Sequence, residues 1–327
     1  MTEATQPEYG YRTAKGEWRP PYPVKFAPLF SWPPQPIETL KWLFRWGGYL
    51  WPWNAFYTLL ATVTWLWFQP SLSRCVEFKA GWISQIFLRN LILLVLMNEG
   101  WHLLLYTFKV QGTKNKYDPR WLRVEDRNFL FKNQLYDNIF WSCTSGCAVW
   151  TAYEVLLFWA MANHHLPYVS WTAHPVYCTL WLLVIPLWRE THFFFFHRAI
   201  HWKPMYKYVH YLHHKNVNPG PWSGISMHPV EHIIYFSMVL IHFVVPSHPI
   251  HILFDTQING ISPPYGHLGF EGPMLEGLLP GGSYFHYLHH RYFDCNYGET
   301  TVPLDRLFGT VRDGLSDVVD PKVGTAG

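Results

Sequence analysis

Charge is scarce in this chain. Of 327 residues only 14% are Asp, Glu, Lys or Arg, against about 25% in ordinary soluble domains. Lys plus Arg number 25 and Asp plus Glu 22. With 49% apolar residues, this excludes a disordered chain, which needs low hydrophobicity and a large charge excess. The small balance also disfavours a nucleic-acid binder, whose basic face shows in the net charge. Cysteine is sparse and dispersed. Cys75, Cys143, Cys147, Cys178 and Cys295 form no CxxC pair, so no disulfide framework is expected. Met1 to Lys25 has no apolar h-region, and no cleaved signal peptide is expected there. Asp320 to Gly327 carries no dilysine or KDEL-like signal. No HExxH occurs, and no fused haem or flavin motif is visible.

Aromatic residues and histidine are what the chain has in excess, with 19 Trp, 20 Tyr, 23 Phe and 19 His. Mean hydropathy is near zero, but averages hide segments. Gly47 to Pro70 contains no charged residue, with Trp51, Trp53, Trp65 and Trp67 near its ends. That suits a spanning helix of about 20 apolar residues with interfacial Trp. A second run covers about Trp82 to Phe108, interrupted by Arg89, Asn98, Glu99 and His102. A third covers about Asn138 to Met161, with Glu154 its only charge. A fourth extends from Val169 through Trp188. Basic residues crowd three segments: Arg12 to Arg45, Lys109 to Lys132, and Arg189 to Lys215. The positive-inside rule then puts the N-terminus, the 109–137 loop and everything after Trp188 on the cytoplasmic side. The apolar stretch from Ile233 to Ile258 is broken by Pro246, Ser247 and Pro249. It reads either as a fifth span or as a re-entrant or interfacial hairpin.

Fifteen of the 19 histidines fall between His192 and His290. His197 and His201 form HxxxH, as do His228 and His232. His210, His213 and His214 form HxxHH, and His286, His289 and His290 repeat it; His267 stands alone. Residues three and four apart share a helix face, so each group aims its imidazoles at one point. Ten or eleven rings are too many for one metal but suit two ions of higher coordination, and imidazole binds Fe, Zn, Cu and Ni. For the groups to meet, His286–His290 must lie on the same side as His197–His214, which favours the hairpin for 233–258. Glu99 to His102 is a single Glu-x-x-His, too little for a carboxylate-bridged site; pairing of Glu99 with Arg89 or another buried polar group is expected instead. Glu190, Glu231, Asp294, Glu299 and Asp305 are candidate partners for the outer histidine nitrogens. Phe193 to Phe196 reads either as core or as groove lining, and Asn218 to Trp222 as a turn.

HRAIH, HYLHH, MHPVEH, the late HYLHH followed by Asn296-Tyr297-Gly298, and Pro303 to Gly309 resemble the fatty acid hydroxylase superfamily, also called the sterol desaturase family, over roughly 175–312. The resemblance implies an integral-membrane, all-α bundle of about four spans plus the hairpin, with a cytoplasmic helical cap over a His-rich dimetal site. Segments 1–46 (cytoplasmic), 47–188 (transmembrane), 189–312 (catalytic) and 313–327 (tail) follow. It implies a non-haem di-iron monooxygenase that uses O2 and two electrons to hydroxylate or desaturate a sterol or fatty-acyl-type lipid. The expected metal ligands are His197, His201, His210, His213, His214, His228, His232, His267, His286, His289 and His290, with His192 left out. Electrons would come from a separate donor, cytochrome b5-like or a ferredoxin with its reductase. The membrane would be that of the endoplasmic reticulum or the bacterial inner membrane. The competing readings are a membrane metal transporter and a zinc-dependent membrane hydrolase.

Overall fold

The computed structural model describes residues 10–13, 16–272, 274 and 279–315; most of the expected tail, 316–327, lies outside the described residues. Among the described residues a two-stranded ribbon, β1 (Tyr11–Arg12) and β2 (Trp18–Arg19), precedes thirteen α-helices. They are α1 (Pro36–Phe44), α2 (Trp53–Val63), α3 (Ala80–His102), α4 (Gln134–Trp141), α5 (Cys147–Ala162), α6 (Pro175–Ile200), α7 (Lys203–Met205), α8 (Tyr211–His214), α9 (Pro229–Phe236), α10 (Pro249–Ile261), α11 (Pro263–Gly266), α12 (Tyr284–Tyr292) and α13 (Leu304–Leu307). Wide helical turns continue several of them. Leu103–Thr107 extends α3, and Ser142–Gly146 joins α4 to α5. The resulting helices, Ala80–Thr107 and Gln134–Ala162, have 28 and 29 residues, and these two are long and apolar enough to cross a membrane.

The other two expected spans differ from the sequence reading. The run 47–70 is helical only over α2, of 11 residues, and a five-residue wide turn to Phe68. The fourth does not stop at Trp188. α6 continues for 26 residues to Ile200 through Pro186, because Arg189, Glu190 and His192 are polar without breaking a helix. The same helix that begins in the apolar run therefore carries His197.

α10 is the axis of the bundle. His248 caps it by accepting from Ile250 N (3.2 Å), and Pro249 takes the first position, where no amide hydrogen is needed. His251 to Ile261 are all buried, and the helix packs against α2, α3, α5 and α6. The expected break in 233–258 is present: α9 runs on as a tighter turn to Phe243, and Val244 to His248 link it to α10. Gly260 gives α10 its contact with α5, since a Cβ there would lie 2.5 Å from the Trp150 ring. Gly260→Ala is accordingly expected to cost about 1–3 kcal/mol through overpacking, read as a lower unfolding temperature in detergent.

The N-terminal segment folds over the histidine-bearing end. Trp18 packs against Tyr117 and Tyr284, with ring centroids 5.6 and 5.3 Å away. Glu17 pairs with Arg291, and Ala27 N donates to Thr300 O at 2.9 Å. Segments far apart in sequence thus share one end of the molecule.

Candidate metal centre

Four elements deliver the histidines. α6 presents His197 and ends at His201. The wide turn Tyr206–His210 and α8 present His210, His213 and His214. His267 follows α11, and α12 presents His286, His289 and His290. α12 starts where Ser283 caps it, accepting from His286 N at 3.2 Å. Gly282, at φ +83°, is required just before, because a Cβ would meet Phe270 O at 1.9 Å.

These rings form two groups, His197, His201, His210, His214 and His289, and His213, His267, His286 and His290. Within each group the ligand atoms lie within 4.8 Å of one another. The inward atom is Nε2 throughout. In the first group Nε2 separations are 3.2 Å for His197–His210, 3.1 Å for His201–His210, 3.2 Å for His201–His289 and 3.0 Å for His214–His289. In the second, His267 Nε2 is 3.3 Å from that of His213 and 3.0 Å from those of His286 and His290.

The outer nitrogens explain why these contacts are not ordinary hydrogen bonds. Nδ1 of His197 meets Tyr297 O at 2.6 Å, that of His289 meets Cys295 O at 2.6 Å, that of His267 meets Pro263 O at 2.8 Å, and that of His213 meets Ser226 O at 3.3 Å. A carbonyl only accepts, so each of these Nδ1 atoms carries the proton and each Nε2 offers a lone pair. His213 and His267 therefore face each other with two lone pairs and no proton between them. That arrangement is repulsive when bare and correct around a cation. Burial, then the neighbouring imidazoles, hold the titration of His197, His213, His214, His286, His289 and His290 well below the usual histidine range. The rings stay neutral, as metal ligands must. The donor set thus fits two cations held by imidazole.

A carboxylate and a shaped loop orient the rings. Glu231 Oε1 lies 2.7 Å from His210 Nδ1 in full burial, and burial pushes its carboxyl well above the ordinary range. Asn296, at φ +53°, donates from its side chain to Phe285 O (2.9 Å) and accepts from Arg312 N (2.7 Å). Asp305 accepts from Tyr297 N and Gly298 N at 2.9 and 2.7 Å. The Asn-Tyr-Gly element and Asp305 therefore aim the Cys295 and Tyr297 carbonyls at His289 and His197.

Of the eleven expected ligands, the structure leaves two outside both groups. His228 is spent as the cap of α9, its Nδ1 accepting from Val230 N at 3.2 Å. His232 is buried with Nε2 on Ile225 O at 2.9 Å. His192 pairs with Ser237 Oγ at 3.1 Å, apart from the site. Glu99 accepts from Trp222 Nε1 at 2.9 Å, whereas Arg89 pairs with Glu154. Asp294 is exposed. His228→Ala is expected to retain the wild-type metal content per chain, measured by elemental analysis; loss of an equivalent of metal would return His228 to the ligand set.

A cavity of about 300 Å³ reaches the histidines, touching His197, His210, His213, His267 and His286. One face of α6 forms a wall, with Pro186, Glu190, Phe193 and His197 following helical spacing. Of the four-phenylalanine run, Phe193 lines this space, Phe194 and Phe196 are core, and Phe195 is exposed. The turn 218–222 is not part of the lining; Asn218 is tied down by Lys116 and Gln134 instead.

The fatty acid hydroxylase family model matches residues 181–310, a range containing every histidine of both groups. The resemblance read from the motifs is borne out by this match and by the names of similar proteins. A Delta(7)-sterol-C5(6)-desaturase of Nicotiana tabacum is 26% identical over 170 residues, covering 49% of this chain and 58% of that protein. A Delta(7)-sterol 5(6)-desaturase of Candida glabrata is 34% identical over 131 residues, covering 39% and 35%. Methylsterol monooxygenase 1 of Gallus gallus is 34% identical over 121 residues, covering 36% and 41%. The matches span between about a third and three-fifths of these relatives. No solved structure matches the chain.

Proposed function

From the fatty acid hydroxylase domain at residues 181–310, we propose that this chain is an O2-dependent membrane oxidoreductase that hydroxylates or desaturates a C–H bond of a sterol or fatty-acyl-type lipid. The observation that carries the reading is the convergence of nine Nε2 atoms in two groups, with five of the outer nitrogens, those of His197, His210, His213, His267 and His289, committed to acceptors. One ion would be held by His197, His201, His210, His214 and His289, the other by His213, His267, His286 and His290. Two iron ions bound there would supply O2 activation and hydrogen abstraction, which zinc, lacking redox chemistry, does not.

The protein's own part is placement. Carbonyls 263, 295 and 297 and Glu231 fix ring orientation. Phe193 and the α6 wall hold an apolar chain beside the histidines and keep water from it. Electrons come from a separate donor, cytochrome b5-like or a ferredoxin system.

The proposed membrane embedding comprises four crossings, by α2, the helices ending at Thr107 and Ala162, and α6, with the α9–α10 pair as a returning hairpin. Outward apolar stripes support it: Leu88, Ile92 and Leu96 on α3 are 56, 57 and 66% exposed, a costly pattern in water. The Trp18, Tyr117, Tyr284 and Tyr287 cluster adds topological support, because it requires an even number of crossings between its members. The histidine end then faces the cytoplasm, as the basic loops indicate. The transporter and hydrolase alternatives are not favoured, since the similar proteins are desaturases and monooxygenases by name. Deleting the gene and profiling lipids tests the reading: a precursor accumulates and its oxidised partner disappears, whereas an unchanged lipid profile contradicts it.

A further inference from the structure

The cavity has a second end that the metal chemistry does not use. Glu190 lies seven residues before His197 on α6, two turns or about 10 Å along the axis, and lines the same wall. Arg189 and Glu299 line the cavity beside it. These three charged side chains are half-buried and face the cavity.

The three are anchored unequally. Arg189 Nε donates to Asn259 Oδ1 at 2.9 Å and the guanidinium also donates to Tyr235, which pins it at the wall. Glu190 Oε2 accepts from Val302 N at 2.9 Å, and its carboxyl accepts from the side chain and backbone of Thr301 as well. Glu299 makes no hydrogen bond among the described residues, although it is half-buried and faces the cavity. A carboxyl that faces a cavity without a protein donor is free to accept from a ligand group there.

We propose that Arg189, Glu190 and Glu299 bind the uncharged hydroxyl end of a lipid alcohol whose hydrocarbon body extends toward the histidines. The chemistry selects that group. A guanidinium only donates and an ionised carboxylate only accepts, so a ligand satisfying both must accept and donate, as a hydroxyl does. A carboxylate or phosphate end would accept from Arg189 but face two carboxyls. An ammonium end would suit the carboxyls but face the guanidinium. Burial, with Glu190 second, pushes the Glu299 carboxyl up to about 7. The inference rests on the lipid-oxidation reading of this cavity and names the substrate class it takes.

Binding to the purified full-length chain in detergent, with zinc at the histidines, tests this without turnover. Tryptophan fluorescence would follow titration with hexadecanol, hexadecanoic acid and hexadecylamine, and with a 3-hydroxysterol and its sulfate. The expected result is that at least one alcohol binds about tenfold or more tightly than its charged counterparts. Glu299→Leu is expected to weaken that alcohol about tenfold, the size of one lost charged hydrogen bond, and Glu299→Gln only a few-fold, with zinc content unchanged in both. Equal or tighter binding of a charged probe, no binding of either alcohol, or unchanged alcohol affinity in Glu299→Leu overturns the proposal. Should that variant not fold, the wild-type ranking decides alone. Failure of iron-loaded protein to oxidise lipid would leave the ranking intact, so the two readings fail separately.

Discussion

Replacing His289 by Ala is expected to lower lipid oxidation by about a thousandfold or more and to remove metal from the first group. The size follows from the several kcal/mol that a catalytic metal contributes to barrier lowering, at 1.36 kcal/mol per tenfold. His289 is the sharpest choice because its Nε2 sits 3.2 Å from that of His201 and 3.0 Å from that of His214. Its Nδ1 is meanwhile fixed on Cys295 O. Removing the ring leaves that carbonyl buried and takes one donor from the crowded centre. A milder loss of about 10–100-fold is the range for disturbing an orienting partner, so Glu231→Leu serves as the graded comparison. Elemental analysis and product assay on the same preparations check both. A His289→Ala protein with wild-type metal content and turnover would contradict the assignment.

Glu154→Leu is expected to destabilise the bundle by about 3–5 kcal/mol, the cost of leaving a buried charge without its partner. Glu154 on α5 is fully buried and pairs with Arg89 on α3. Asn90 Nδ2 donates to Glu154 Oε2 at 3.1 Å, and Arg89 Nη1 to Gln69 Oε1 at 2.6 Å. The single variant leaves the guanidinium without its counter-charge, held only by the amide oxygens of Gln69 and Asn90. Arg89→Met combined with Glu154→Leu removes both charges, and replacing a buried pair by apolar residues is often neutral. The double variant should therefore unfold at a higher temperature than Glu154→Leu alone. If the double variant is no more stable than the single one, the pair does not carry the helix contact.

The histidine groups were legible because i, i+3 and i+4 spacing reports a shared helix face without any knowledge of tertiary structure. The same spacing misleads at His228 and His232. A histidine before a proline suits a helix cap, since proline at the first helical position fixes the cap beside it, and His228-Pro229 and His248-Pro249 both behave so. The break within 233–258 was legible in Pro246 and Pro249. The wide turns at Leu103 and Ser142 were not, since no residue type enforces them. Glu231 was visible as one carboxylate among five, but only the fold selects it for His210. Arg189, Glu190 and Glu299 could not be read as a set, because a loop more than a hundred residues downstream closes the cavity against α6.

On the proposed function, the two histidine groups hold iron that oxidises a lipid. Its most direct test is iron and zinc analysis of chain purified under reducing, anaerobic conditions, with lipid product formation followed as O2 and a reductant are added. Two irons per chain, O2 uptake matched by an oxidised lipid, and loss of both when zinc replaces iron are the results expected. Stoichiometric zinc from cells, with activity that persists in the zinc form and disappears on iron replacement, would contradict it.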